Sequence, residues 1–532
     1  MKDVIIGIDA GTSVIKSVAF DLSGRQIAVS ALPNAYDSLD GGRVEQDMDL
    51  TWRTTASTIA ALSGKIEGLA ARVAAIAVTG QGDGTWLIDR DGKPVMGALL
   101  WLDARAGALV ENFRSRSGDR RRFELTGTGL NACQQGAQLA WLRDNMPEVL
   151  SRTATAFHCK DWLYFRLTGA AATDPSEGTF TFGDFRTQTY SEEVIGLLGL
   201  APHRSILPPI RDGFSAHDGL TAEAAGLVGL PAGTPVVLGY VDIVSTALGA
   251  GLYDPDQDVG CSIIGSTGMN MRLARSAADV MLNDSSSGYT IPMPAPGTFA
   301  QLQSNMAATL NIDWLLATAA DVLAGFGAAP DRQELIRALD GWIAAAEPGT
   351  LLYQPYISLA GERGPFVDPD ARAGFIGLSL KHGFSDLARS VIEGLAMAAR
   401  DCFEAMGPVP DEIRLCGGAA RSPSLRRIFG AVTKTRTRIT AREEAGAAGA
   451  AMVAAVRLGV YPSMDACCRE WVLALLEEAE AYDEKLAAVY DTLFPCFVEA
   501  HRALAPVWRS MAVRRSAPGA GDRTHQHRKP AT

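Results

Sequence analysis

The chain opens on four apolar residues, Val4, Ile5, Ile6 and Ile8, which lead into Asp9, the small-residue turn Ala10-Gly11-Thr12-Ser13, and a second β-branched run ending at Asp21. This pattern predicts a β-hairpin over residues 4–21. Its turn is too short and polar to be core. An acid beside Gly, Thr and Ser suits a metal-bound phosphate, because backbone N–H groups approach closely where no Cβ intervenes; an ordinary hairpin turn would use the same residues. An amphipathic helix is expected from about 50 to 69, and a buried strand over 73–78 that runs into the Gly-rich turn 79–85. Open α/β sheets bind ligands at the carboxyl ends of such strands, so Gln81 and Asp83 are candidate contacts.

The polar–apolar pattern continues as mixed α/β. Trp101-Leu102-Asp103-Ala104-Arg105 and a helix around 138–142 follow, and Lys160-Asp161-Trp162 opens a helix that Thr168-Gly169 ends. Residues 173–187, rich in Thr, Gly and Phe without clear period, are expected to be a loop or short strands. Trp86 and Trp141 are expected in the core. A strand over 235–238 leads to Gly239-Tyr240-Val241-Asp242, so a carboxylate again closes a strand. From Cys261 to Met271 the opening logic recurs: apolar strand, Gly265-Ser266-Thr267-Gly268 turn, return strand. Two such units about 250 residues apart imply duplicated halves facing one cleft, with a boundary near 250. The second half continues with a helix over 385–406 carrying Glu393, a strand over 412–415 ending in Cys416-Gly417-Gly418-Ala419, and Ser422-Pro423 opening the next helix. The Ala/Gly helix 445–456 is slim enough for close packing or for a flat adenine ring to lie near its backbone. Residues 513–532 are expected to form a disordered basic tail.

Bulk properties narrow the classes. At 532 residues the chain exceeds one ordinary core, so domains 1–250 and 251–512 are expected. A net charge of −11 argues against nucleic acid or an anionic membrane as the main partner. The eight cysteines form no CxxC pair, which points to neither zinc nor a disulfide framework and to a reducing, cytoplasmic setting. The longest apolar stretch stops at Arg457, short of the roughly 18 residues a membrane span needs.

Together these motifs resemble the FGGY carbohydrate kinases from Val4 to about residue 475: Asp9-x-Gly11-Thr12 with Lys16 and Asp21, Gln81-x-x-Gly84, Trp101-x-Asp103-x-Arg105, Lys160-Asp161 to Gly169, Gly239-x-x-Asp242, Gly265-Ser266-Thr267-Gly268 and Gly417-Gly418-Ala419. Each motif is weak alone; their order and spacing are specific. The resemblance implies an α/β, two-domain actin-like ATPase (ribonuclease H-like) fold, with duplicated mixed β-sheet domains around a central cleft. It implies ATP and Mg²⁺, a small polyol as acceptor, no nucleic acid or membrane partner, and room for a homodimer. Residues 156–169, 173–187 and 303–316 are similar to the branch that phosphorylates erythritol, a four-carbon polyol.

By that resemblance Asp242 is the general base, although an Asp there also suits a helix N-cap. Asp9 is the magnesium-associated carboxylate, acting through water. Thr12, Ser13 and Lys16 would meet ATP phosphates, with Gly265, Ser266, Thr267 and Gly268 holding them from the other half. Gly417, Gly418, Ala419 and Ser422 match the adenosine turn. Gln81, Gly82, Asp83, Trp101, Asp103 and Asn270 are the acceptor candidates, with Asn131 and Cys133 weaker. The chain departs from other branches: Asp83 stands where xylulose kinases carry His, and Gly82 where glycerol kinases carry Arg. Both substrates are thereby disfavoured, and Gly82 is expected to open space for a longer, uncharged acceptor. A kinase for xylulose, ribitol or glycerol, or a non-kinase actin-like ATPase, is the alternative.

Overall fold

The computed structural model describes residues 2–516. Two six-stranded sheets carry the fold. In the first, Val4–Ala10, Val14–Asp21 and Gln26–Pro33 form an antiparallel meander. Val73–Gly80 and Pro235–Leu238 extend it in parallel from the other side of Val4–Ala10, and Asp218–Gly219 closes the edge. In the second, Val259–Ile264, Gly268–Ala274 and Phe299–Asn305 repeat the meander, with Tyr289–Pro292 outside it. Glu412–Cys416 and Arg436–Ile439 continue in parallel from Val259–Ile264. The two halves thus share one order of three antiparallel and two parallel strands, the duplication expected from the paired strand-turn-strand units.

The strand residues explain this layering. Val73–Gly80 is buried at all but one position, as suits a parallel strand covered on both faces. One apolar core spans the molecule, joining Ile5, Val18 and Ala77 of the first sheet to Cys261, Met271 and Leu302 of the second through helices Asp242–Ala250 and Ala445–Arg457. Those two helices touch almost backbone to backbone. A Cβ on Gly449 would lie 2.0 Å from the Ser245 carbonyl oxygen, and one on Gly249 would lie 2.1 Å from that of Ala445. Gly7 makes the same close approach to Ala447. The small residues of the 445–457 helix therefore serve packing against the first sheet and its neighbouring helix.

Three boundaries differ from expectation. The helix foreseen over 50–69 runs Met48–Leu62, capped by Asp47, whose side chain accepts from the Leu50 N–H; a separate turn, Leu69–Arg72, follows Gly68 at φ +65°. Residues 173–187 contain a buried helix, Pro175–Phe182. Asp174 caps it and Pro175 pre-sets its first φ, so local capping chemistry overrode the lack of period. The expected basic tail begins inside the last helix, Glu484–Ser516; residues 517–532 lie outside the described residues. Trp86 is buried, whereas Trp141 is half-buried with the Arg105 guanidinium 5.3 Å from its ring centre. Glu393 is buried in Phe384–Glu404 and bound by Arg389 and Tyr490 at 2.6 and 2.7 Å. No helix among the described residues is long and apolar enough to cross a membrane.

Candidate active site

Strand ends bring the candidate residues together. Val4–Ala10, Val73–Gly80 and Pro235–Leu238 lie side by side in parallel, so the loops after them emerge together and bring Thr12, Gln81-Gly82-Asp83 and Asp242 to one cavity. That cavity, about 220 Å³, is closed from the second half by Thr267, Met269, Tyr289, Ser304 and Arg363, with Phe180, Ile291 and Leu302 as apolar walls. Most of a small ligand's surface would be covered there.

Hydrogen bonds fix its polar rim. The Trp101 indole N–H donates to Thr12 Oγ1 at 2.8 Å, Thr12 Oγ1 donates to Gln81 Oε1 at 3.0 Å, and Gln81 Nε2 donates to Gln46 Oε1 at 2.8 Å. Thr12 thus lines this cavity, while Ser13 is exposed at the hairpin tip. Asp83 sits at φ +56°, a conformation Asp tolerates at a turn. Its Oδ2 accepts from the Tyr289 hydroxyl at 3.1 Å and Cys133 Sγ at 3.2 Å. Asn131 Nδ2 in turn donates to the Tyr289 hydroxyl. Burial pushes the Asp83 carboxyl up, opposed by Cys133, Arg363 and Tyr289.

Asp242 is the first residue of helix Asp242–Ala250, whose N-cap position is Val241; no side chain caps that end. Asp242 instead faces the cavity. Burial, then the charge of Asp9, pushes its carboxyl up to about 8, against the backbone N–H groups of Ile243 and Gly82. A buried network positions it. The Val241 N–H donates to Ser176 Oγ at 3.0 Å, Ser176 donates to Asp174, and Asp174 pairs with Lys160 Nζ at 2.7 Å. Lys160, fully buried, also pairs with Asp161. The Lys160-Asp161 motif thus braces the start of the Asp242 helix from beneath.

Asp9 pairs in register with Lys16 across the hairpin. Burial raises its carboxyl to about 6, the Lys16 charge opposing and Glu444 adding. Lys16 Nζ donates to both Glu444 oxygens, at 2.9 and 3.2 Å. A second cavity, about 590 Å³, opens on the other side of the Gly265–Gly268 turn and is lined by Gly265, Gly418, Ala419 and Ser422. Thr267 faces the first cavity and Gly265 the second, with Ser266 exposed between them, so this turn separates the two. Gly417, at φ +94°, brings its backbone so close to Ile264 that a Cβ would lie 2.4 Å from that carbonyl oxygen. Ser422 caps helix Pro423–Thr433 and donates to Asp340 at 2.9 Å.

Three acceptor candidates stand otherwise than expected. Asp103 is buried away from the cavity, accepting from the Val44 N–H at 2.7 Å and from the Arg105 guanidinium. Asn270 is buried behind the second sheet's turn, between Ser262 and Asn305. At Gly82 a Cβ would meet Val241 Cγ2 at 2.4 Å, so glycine there permits contact with the residue preceding Asp242 and does not enlarge the cavity. Sequence reasoning missed Tyr289, Ser304 and Arg363. Only Arg363 carried a signal, an isolated charged pair, Glu362-Arg363, bracketed by Gly361 and Gly364-Pro365.

Comparison with known proteins identifies the family. Residues 4–249 match the N-terminal domain of the FGGY family of carbohydrate kinases and residues 260–458 its C-terminal domain. The chain is 54% identical over 510 residues to the erythritol kinase of Brucella abortus (strain 2308), covering 96% of this chain and 98% of that protein. Among solved structures, a xylulose kinase from Rhodospirillum rubrum superposes with a TM-score of 0.84 at 26% identity, covering 95% of this chain and all of that one. A gluconate kinase from Lactobacillus acidophilus gives 0.86 at 23% identity over 96% and 99% of the two chains, a likeness of fold. With both family domains matched in order across most of its length, the chain belongs to the FGGY family of carbohydrate kinases.

Proposed function

We propose that the protein transfers the γ-phosphoryl group of ATP to a terminal hydroxyl of erythritol, giving erythritol 4-phosphate. The observation that carries this reading is the 54% identity to the Brucella abortus erythritol kinase along nearly the whole of both chains. The cavity supports it: Asp242 and Asp83 supply carboxylates for hydroxyl groups, and Phe180, Ile291 and Leu302 supply walls for a carbon skeleton.

Asp242 takes the proton as the acceptor oxygen forms its bond to the γ-phosphorus and the bond from phosphorus to the β–γ bridging oxygen breaks, releasing ADP. A base held near neutrality by burial suits this, and such a group contributes typically 10²- to 10⁴-fold. Gln81, Gly82, Asp83 and Trp101 orient the acceptor. The turn Gly265–Gly268, which separates the two cavities, would hold the phosphates together with Thr12, Ser13 and Lys16. Gly417, Gly418, Ala419 and Ser422 border the nucleoside end. Asp103 and Asn270 act by bracing neighbouring loops.

Magnesium fits the donor set. Asp9 and Asp242 are two carboxylates whose charges oppose each other, and among the described residues no cluster of three ligating side chains could cage a metal alone. Mg²⁺ keeps several waters and is shared with phosphate in such sites. Asp9 would hold it through water, and the ion would supply charge neutralisation at the transferring group.

The protein is read as cytoplasmic, with domains 1–250 and 251–512, and a homodimer is the assembly to check by light scattering. Coupled ADP release across erythritol, ribitol, glycerol and xylulose tests the function, with NMR of the product fixing the carbon. Turnover confined to another acceptor, or ADP release without a phosphorylated polyol, rejects it.

A further inference from the structure

The two halves each bring to the acceptor cavity a buried polar atom that the protein leaves open. Asp83 Oδ2 is satisfied by Tyr289 and Cys133, but its Oδ1 is buried without a hydrogen-bond partner. Arg363, from the second half, lines the same cavity. Its guanidinium donates to Ser304 Oγ at 3.3 Å, while its buried Nε–H has no partner. Among the described residues no ion pair within 4.0 Å joins Asp83 to Arg363, although each charge acts on the other. An open carboxylate oxygen and an open guanidinium N–H, both desolvated, are costly unless a ligand completes them. Hydroxyl groups suit both, donating to the carboxylate and accepting from the guanidinium.

Arg363 is held in place independently of any ligand. Glu362 Oε1 accepts from the backbone N–H groups of Met306 and Arg363 at 3.0 and 2.8 Å, and the Gly364 carbonyl accepts from Asn305 Nδ2 at 2.9 Å. The loop that presents the arginine is therefore pinned to the end of strand Phe299–Asn305.

Resting on the reading of this cavity as the acceptor site, we propose that Arg363, together with Asp83 Oδ1, is the specificity-determining clamp for the polyol hydroxyls that do not receive phosphate. Asp242 engages the reacting hydroxyl. The clamp selects acceptors that carry further hydroxyl groups, since a site built to hydrogen-bond a hydroxyl rejects an analogue lacking it.

The test is steady-state kinetics of the wild-type protein, Arg363→Met and Arg363→Lys with erythritol, glycerol and butane-1,2,3-triol, the last being erythritol without one terminal hydroxyl. Wild type is expected to favour erythritol over the triol by ~10²-fold in kcat/KM. Arg363→Met should shrink that ratio at least about tenfold, mainly through the KM for erythritol, with the KM for ATP within about twofold, and Arg363→Lys should restore part of it. Should Arg363→Met fail to fold, as judged by its thermal transition, Tyr289→Phe replaces it, because freeing Asp83 Oδ2 must also blunt the preference. A ratio unmoved in the folded variant, or a KM for ATP that rises as much as that for erythritol, overturns the clamp alone. Wild type inactive on all three acceptors overturns the acceptor reading and the clamp with it.

Discussion

The Val241 backbone N–H reaches Ser176 Oγ at 3.0 Å, tying the residue before Asp242 to a helix that lies 65 residues earlier in the chain. This bond braces the chain just before the Asp242–Ala250 helix begins. Ser176→Ala removes the acceptor and leaves a buried N–H unsatisfied, which costs roughly 1–3 kcal/mol. The expected outcome is a kcat lowered about tenfold, since small displacements of a positioned base are costly to rate, with ATP affinity held within twofold. Equal kcat for mutant and wild type would show that the helix start is fixed by other contacts.

Asp242→Asn retains the shape of the side chain and removes the proposed proton acceptor. We expect kcat to fall by ~10²- to 10⁴-fold. Nucleotide binding, followed by fluorescence or calorimetry, should stay nearly unchanged, because Asp242 lines the first cavity and not the second. A variant keeping more than about a tenth of wild-type kcat would rule out the assignment.

Lys16 and Glu444 join the opening hairpin to the start of the small-residue helix at 2.9 Å, with the lysine side chain 35% exposed. An ion pair this open contributes roughly 0–1 kcal/mol to stability. Lys16→Met should therefore leave the melting temperature within a few degrees of wild type while raising the KM for ATP and lowering kcat, if the ammonium turns to phosphate when nucleotide binds. A mutant with unchanged kinetics would confine Lys16 to the ion pair seen with Glu444.

Asp401 offers a pH signature far from the cleft. Burial, with Glu404 adding and Arg502 opposing, raises its carboxyl from 3.8 to about 7; its side chain is 15% exposed, and His501 Nδ1 lies 3.9 Å away. Between pH 4 and 7 the native state holds a proton that the unfolded chain has released. This contribution to stability is thus complete below pH 4 and lost as pH rises through 7. Asp401→Asn removes that dependence, so the variant should gain on wild type from pH 5 to pH 8, by roughly 2–3 kcal/mol. Urea unfolding at the two pH values measures it; a constant difference would contradict the raised carboxyl.

The sequence by itself determined the elements whose causes are local. Val/Ile runs broken by Gly-Thr-Ser or Gly-Ser-Thr-Gly specify the two hairpins, and an acid or glycine turn at a strand end marks Asp9, Gln81 to Asp83 and Asp242, because strand propensity and turn chemistry act within a few residues. The duplication was legible for the same reason. Only the tertiary structure decided which of these residues share a cavity. Asp83 meets Tyr289 across 206 residues of chain, and Arg363 faces the same space from the other half, contacts that no local period encodes. Conversely, Asp103 carries a motif yet turns inward to Arg105 and the Val44 N–H, since a buried carboxylate goes where donors compensate it. Gly82 and the 445–457 helix make the same point for packing: their small side chains look like open space in the sequence, and the fold fills that space with Val241, Ser245 and the first sheet.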